Sequence, residues 1–257
     1  MKEEINLGSW EELRIKIRNH LDNDDISEFF KWKEIQYTMI ANVNIIEYNH
    51  LREKKVWLLW EKMIAETKLK PNSHSILSNS STNNLHHAYS LQKLMEFTGI
   101  QLNDFGEVIE FGGGYGNMCR LFRKWGHNKN FFMYDIPELT QLQKYYLAEN
   151  GITDNVIYCG GYDKIDTIEN NSLFLGMWSI SEVPMNEREK LLNNLCFYDC
   201  ENIFLGIQAN HVGMDNLTWI KNYITPKLEQ LEYRCELHKI QHLNNSYYFV
   251  AIKNKKK

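Results

Sequence analysis

From residue 107 to the C-terminus, short apolar runs alternate with longer amphipathic ones, and this alternation restricts the fold more than any other feature. "EVIEF" (107–111), "NFFMYD" (130–135), "NVIYCG" (155–160), "SLFLGMWSI" (172–180) and "NIFLGIQ" (202–208) read as strands. "NMCRLFRKWG", "PELTQLQKYYLAENG", "NEREKLLNNLCFY" and a stretch around "LTWIKNYI" read as helices between them. Alternation of this kind predicts an α/β fold, a parallel sheet with helices on both faces. The last two runs, "EYRCELHKIQHL" and "SYYFVAIKN" joined by "NNS", predict an antiparallel hairpin at the end of that sheet.

The first 70 residues read differently. Ser9 and Glu12 have the spacing of a capping box, and "EIQYTMIANVNIIEYNHLREKKVWLLWEKMIAET" keeps a helical period without glycine or proline. A polar, turn-forming stretch from Lys70 to Asn84 marks the boundary between a helical N-terminal cap (1–84) and an α/β domain (85–257). The "LHHAYSLQKLMEFTG" helix opens the second part. The "KNKKK" tail reads as a frayed, solvated end. A net charge of −4 argues against nucleic acid as a partner, since phosphate binding needs a basic surface. The charged N-terminus lacks the apolar core of a signal peptide, and no apolar run is long enough to span a bilayer. The five cysteines have no zinc spacing and sit mostly in apolar stretches, so reduced core thiols in a cytoplasmic protein are expected.

Between the first strand and its helix stands "EFGGGYGNM", Glu110 to Met118. Glycines in such a turn let backbone N–H groups approach a ligand at the positive end of the helix. The dinucleotide fingerprint G-x-G-x-x-G, counted from Gly112, would need glycine where Asn117 stands, which disfavours a nucleotide-dependent oxidoreductase. The pattern present, Glu110-x-Gly112-x-Gly114-x-Gly116, resembles the first motif of class I S-adenosylmethionine-dependent methyltransferases. Asp135, at the end of the second strand, stands where that fold carries an acid accepting hydrogen bonds from the ribose hydroxyls.

"VIEFGGGYGNM", "YDIPELTQLQKYYL", "MWSISEVP" and the pair His86-His87 together resemble the sugar O-methyltransferase family found among bacterial surface-polysaccharide genes. The resemblance covers roughly residues 80 to 220. It implies a Rossmann-like methyltransferase sheet with S-adenosyl-L-methionine as cofactor. Glu110, Gly112, Gly113, Gly114, Tyr115, Gly116, Asp135, Ile136, Gly161, Tyr162 and Trp178 are the implied cofactor-binding residues, with the adenine near Gly160 to Tyr162. The implied partner is a small molecule, a sugar or nucleotide-linked glycan precursor, and a homodimer is left open. A phosphate or phosphoramidate oxygen on such a glycan, and a cofactor-binding subunit without catalysis, are the alternatives.

Methyl transfer to oxygen requires a group that removes the acceptor proton. His86 and His87 lead. On their helix His87 shares a face with Leu91 and Leu94, while His86 aligns with Tyr89, Ser90 and Lys93, so one is expected to pack and the other to meet a ligand. His211, three residues past Gln208, is a further candidate base, and Glu182 one that can orient a hydroxyl or a partner histidine. Trp178 reads as strand packing that can also face a sulfonium. Asp163, Asp166, Asp215 and Glu182 are oxygen donors without a coordinating pattern, so no metal is assigned.

Overall fold

The computed structural model describes residues 10–41, 44–66, 69, 76–160, 165 and 168–254. Ser9 of the expected capping box, Gly161, Tyr162, Asp163, Asp166 and the last three residues of the tail lie outside them. The chain gathers into two compact units, neither of them a single stretch of sequence. One comprises Met1–Gln92, Gly114–Lys124 and Ile136–Thr153; the other comprises Lys93–Gly113, Trp125–Asp135 and Asp154–Lys257. The elements in chain order are α1 (Trp10–Asn23), α2 (Lys33–Thr38), α3 (Ile45–Arg52), α4 (Trp57–Ile64), α5 (Thr82–Thr98), β1 (Val108–Phe111) and α6 (Asn117–Trp125). They continue with β2 (Phe131–Asp135), α7 (Pro137–Glu149), β3 (Val156–Gly160), β4 (Leu173–Met177), α8 (Met185–Asn194) and β5 (Asn202–Gln208). The C-terminal part holds a short ribbon of β6 (Asn210–His211) and β7 (Met214–Asp215), then α9 (Asn216–Trp219), α10 (Thr225–Gln230), β8 (Tyr233–Lys239) and β9 (Ser246–Lys253).

The second unit is built on a seven-stranded sheet of order β3-β2-β1-β4-β5-β9-β8. β1 to β5 run parallel, and β9 is antiparallel to both β5 and β8. This is the expected Rossmann-like α/β sheet closed by a terminal hairpin. Alternate residues Ile203, Leu205, Phe249 and Ala251 face one core, where Leu191, Leu192, Ile220, Ile224 and Leu228 meet them. On β5 and β9 the opposite face carries Phe204 stacked on Tyr248, with Phe97 against both. The strand order reverses between β1 and β4, which creates a crevice at the carboxyl ends of the strands.

Three local readings change. The fourth strand stops at Met177 rather than Ile180, because Trp178 adopts a left-handed conformation (φ 69°) and a 3-10 turn follows over Ser179–Glu182. The expected loop after β5 folds back as the β6–β7 ribbon. The helix around "LTWIKNYI" contains a π-helical turn at Ile220–Ile224 before it continues as α10.

The first unit is helical, and its long periodic run is broken. α2, α3 and α4 are separate helices, with a 3-10 turn over Ile26–Lys31 ahead of them. Asn44 starts α3 by accepting a hydrogen bond from Ile46 N, a cap that outcompetes continuation of the helix. Phe29, Phe30, Tyr115 and Tyr146 form an aromatic cluster with ring centroids 4.0–6.3 Å apart. Beside it Arg120 is fully buried. Its Nε donates to Asn150 Oδ1, Nη1 to Asn84 Oδ1 and Asn117 Oδ1, and Nη2 to the carbonyls of Met63 and Ala65, at 2.8–3.3 Å.

Candidate functional site

In the second unit the turn after β1 is shaped from beneath. Gly112 has φ 72°, and a Cβ there would stand 2.3 Å from Ser179 Cβ. Ser179 Oγ donates to the Phe111 carbonyl at 2.5 Å, and Gly112 N donates to Tyr134 O at 2.8 Å. The backbone is thereby clamped between the second and fourth strands. At Gly113 a Cβ would lie 2.7 Å from Glu110 Oε2, so the turn passes directly over that carboxyl group. Glu110 is buried, and among the described residues its Oε2 has no hydrogen-bond partner. Burial, helped by the charge of Asp135, pushes its pKa up to about 8. A buried carboxyl under such stress, aligned with a second acid and lacking a donor, is what a cationic ligand would relieve.

Further along the carboxyl edge, Trp178 N donates to Gly206 O at 2.7 Å, and a Cβ on Gly206 would meet the Trp178 ring at 3.4 Å. A tryptophan with positive φ stores backbone strain, and such strain gathers where function needs a side chain aimed unusually. Glu182 ends the 3-10 turn and is half-buried. His211, in the ribbon, pairs through Nδ1 with Gln208 Oε1 at 2.8 Å. Burial and the charge of Arg188 lower its pKa. Asp215 accepts from Thr218 N and Oγ1 at 2.9 and 2.7 Å, so its carboxylate serves as the cap of α9. Among the described residues, no three His, Cys, Asp or Glu side chains gather as metal ligands. All five cysteines are reduced thiols, and all but Cys235 are buried.

The first unit carries the rest of the glycine turn. Gly114 and Gly116 have φ 58° and 96°, and Gly114 O accepts from Gln143 Nε2 at 3.0 Å. Tyr115 is buried in the aromatic cluster, where its hydroxyl accepts from Asn83 Nδ2 at 2.7 Å. Its backbone is what remains to meet a ligand. Ile136 stands at the N-cap of α7, ahead of Pro137.

The two histidines of α5 have different settings. His86 is buried and its Nδ1 lies 2.8 Å from Glu47 Oε1, itself buried. His87 is half-buried, and its Nδ1 lies 2.9 Å from Asn117 Nδ2, on the first residue of α6. Burial and the neighbouring His86 hold the His87 imidazole neutral, down to about 3. The leucines that share a face with His87 do not make it the more buried of the two, because α5 is packed on most of its circumference. Glu47, Asn117, Arg120 and Ser179 were not singled out from the sequence. No local spacing links Glu47 to His86 across 39 positions.

No protein-family model matches the chain, and no curated protein matches it in sequence. Solved structures similar to it include a SAM-dependent methyltransferase from Aquifex aeolicus, 17% identical, covering 63% of this chain and 88% of that one with a TM-score of 0.45. An O-methyltransferase from neocarzinostatin biosynthesis, in complex with S-adenosylmethionine and 2-hydroxy-5-methyl naphthoic acid, is 11% identical. It covers 66% of this chain and 58% of that one, at a TM-score of 0.44. Mitomycin 7-O-methyltransferase is 8% identical and covers 94% of this chain and 68% of that one, with a TM-score of 0.46.

Proposed function

We propose that this chain is an S-adenosylmethionine-dependent O-methyltransferase acting in the cytoplasm on a sugar hydroxyl of a surface-glycan precursor. The observation that carries the cofactor part is the buried, partnerless Oε2 of Glu110 beneath a turn where Gly113 leaves no room for a Cβ. The residues present fit that cofactor. Glu110 answers its ammonium, Asp135 the ribose hydroxyls, and the backbone from Gly112 to Gly116 its close approach. The sugar acceptor is supported by the sequence motifs, not by a shaped pocket.

When bound, the cofactor supplies a methyl group already activated on a sulfonium. The protein must then align the acceptor hydroxyl and take its proton. His86 is the proposed base. Glu47 accepts its Nδ1–H, orients the ring and balances the charge it gains on taking the proton. His211 ranks behind it, and Glu182 is proposed to orient the hydroxyl.

Calorimetric titration with S-adenosylhomocysteine tests the cofactor reading. Asp135→Ala should weaken binding by about 2–4 kcal/mol, through loss of two hydrogen bonds to the ribose. Unchanged affinity would remove Asp135 from the site. With labelled cofactor and nucleotide-linked sugars, His86→Ala should lower turnover about 100- to 10,000-fold at constant cofactor affinity.

A further inference from the structure

The pair His86-His87 invites the reading of two interchangeable bases, but the polar network of the first unit separates them. A guanidinium carries donors only, so the Asn117 atom 3.2 Å from Arg120 Nη1 is the amide oxygen. Tyr146 OH approaches the same oxygen at 3.3 Å. The amide nitrogen therefore faces His87 and donates to Nδ1. With Nδ1 accepting, the proton of a neutral imidazole resides on Nε2. Arg120 cannot turn to release this arrangement, because each of its N–H groups is held by a separate oxygen.

We propose that His87 is a fixed hydrogen-bond donor, its Nε2–H set by the Arg120–Asn117 relay, and that it binds the carboxylate of the cofactor's amino-acid portion. Asn117 follows Gly116 directly and opens α6, so His87 is bonded to the first residue after the glycine turn. Among the described residues its Nε2 has no hydrogen-bond partner. A neutral donor suits this place. It adds a hydrogen bond to a carboxylate beside the N–H groups of a helix start, without a titration step near neutral pH. Asn117 and Arg120 are positioning residues for it. The inference rests on the cofactor reading above, although the tautomer itself does not depend on it.

Long-range 1H–15N correlation spectra of the full chain labelled at histidine read the tautomer directly, with His87→Gln assigning the ring among the nine histidines. His87 should show a protonated Nε2 and a bare Nδ1, unchanged from pH 5 to 8. S-adenosylhomocysteine should move the Nε2–H resonance downfield, whereas 5′-methylthioadenosine, which lacks the carboxylate, should leave it in place. His87→Gln should weaken S-adenosylhomocysteine roughly tenfold or more and leave 5′-methylthioadenosine unchanged. Asn117→Asp should draw the proton to Nδ1 and weaken S-adenosylhomocysteine to a similar extent; Asn117→Ser serves if that variant fails to fold. An Nδ1–H tautomer, titration of His87 between pH 5 and 8, or S-adenosylhomocysteine bound with the resonance unmoved would overturn the proposal. Failure of the wild type to bind S-adenosylhomocysteine would instead bring down the cofactor reading, and the spectrum would still decide the tautomer.

Discussion

Arg120 and Arg188 are both fully buried, one in each compact unit, and they are held in opposite ways. Arg120 has an oxygen for every N–H, drawn from α4, α5, α6 and the end of α7. Arg188, on α8, donates to the carbonyls of Val183 and Ser181 and lies over the Trp219 ring at 4.5 Å, yet among the described residues its Nη1 has no partner. Burial lowers its pKa to about 10. The first unit thus joins distant segments through one saturated polar hub. The second is held by an apolar sheet and tolerates polar stress near its edge. A buried charge is a structural cornerstone only where all its hydrogen bonds are met.

The largest effect should follow from breaking the hub. Arg120→Met leaves the oxygens of Asn84 and Asn150 and the Met63 carbonyl without this donor, while Asn117 Oδ1 keeps Tyr146 OH and Ala65 O keeps Lys124 Nζ, and it should cost about 5 kcal/mol. A shift in the denaturant midpoint measures it, and a loss under about 2 kcal/mol would deny the hub its role. The same argument bears on the N-terminal helices. Were residues 1–84 an appended cap, their deletion would leave a cofactor-binding remnant. Because Met63, Ala65 and Asn84 hold Arg120, and Phe29 and Phe30 pack on Tyr115, deletion should instead abolish cooperative unfolding and cofactor binding together.

Second in size is Gly112→Ala, a test of the sheet unit. A Cβ would overlap Ser179 Cβ at 2.3 Å on a left-handed backbone, so about 3–4 kcal/mol should be lost. Gly114→Ala is the control. There the nearest atom is Met39 Sδ at 3.6 Å, and only the strain of φ 58° remains, about 1–2 kcal/mol. Equal losses at the two positions would contradict the clamp by Ser179.

The two units also differ in how far they could be read from the sequence. The parallel strands were legible because each is a short apolar run bounded by turns, and Glu110, Gly112 and Asp135 fall at strand ends where position alone implies a ligand. The fourth strand was overextended because nothing in "MWSI" announces a tryptophan in the left-handed region. The helical unit misled because a continuous helical period does not reveal where a cap such as Asn44 interrupts it. Its functional contacts are non-local. Arg120 meets Met63 across 57 positions and Asn83 meets Tyr115 across 32, separations at which periodicity carries no information.

Glu110 provides a third effect, read as a slope of stability against pH. Its carboxyl is held near 8 in the folded protein and near 4.5 when exposed, so its ionised form opposes folding. The cost is absent below pH 4.5, grows as pH rises toward 8, and is constant above. Stability should therefore fall by up to about 1.4 kcal/mol per pH unit across that window, a slope that Glu110→Gln abolishes. Binding of a cationic cofactor favours the carboxylate. Affinity should then rise with pH up to about 8, with proton release visible by calorimetry at pH 7 in buffers of different ionisation enthalpy. Absence of both the slope and the released proton would show that Glu110 is ionised before the ligand arrives.

The smallest effect is expected where the comparison began. Arg188→Met makes in the second unit the change that Arg120→Met makes in the first. It removes a guanidinium that, among the described residues, pairs with no carboxylate and has a partnerless nitrogen, so the desolvation cost of the charge disappears with it. Of its two carbonyl partners, Ser181 O keeps the hydrogen bond from Asn216 Nδ2 at 3.1 Å, and Val183 O alone loses its donor. Methionine refills much of the volume and can still pack on Trp219. These terms nearly cancel, and the denaturant midpoint should move by no more than about 1 kcal/mol in either direction. Removal of the nearby charge should also let the pKa of His211 rise, since Arg188 is one of the causes that lower it. A loss as large as that of Arg120→Met would mean that the missing partner of Nη1 is supplied in solution, and that both units rest on a buried cation.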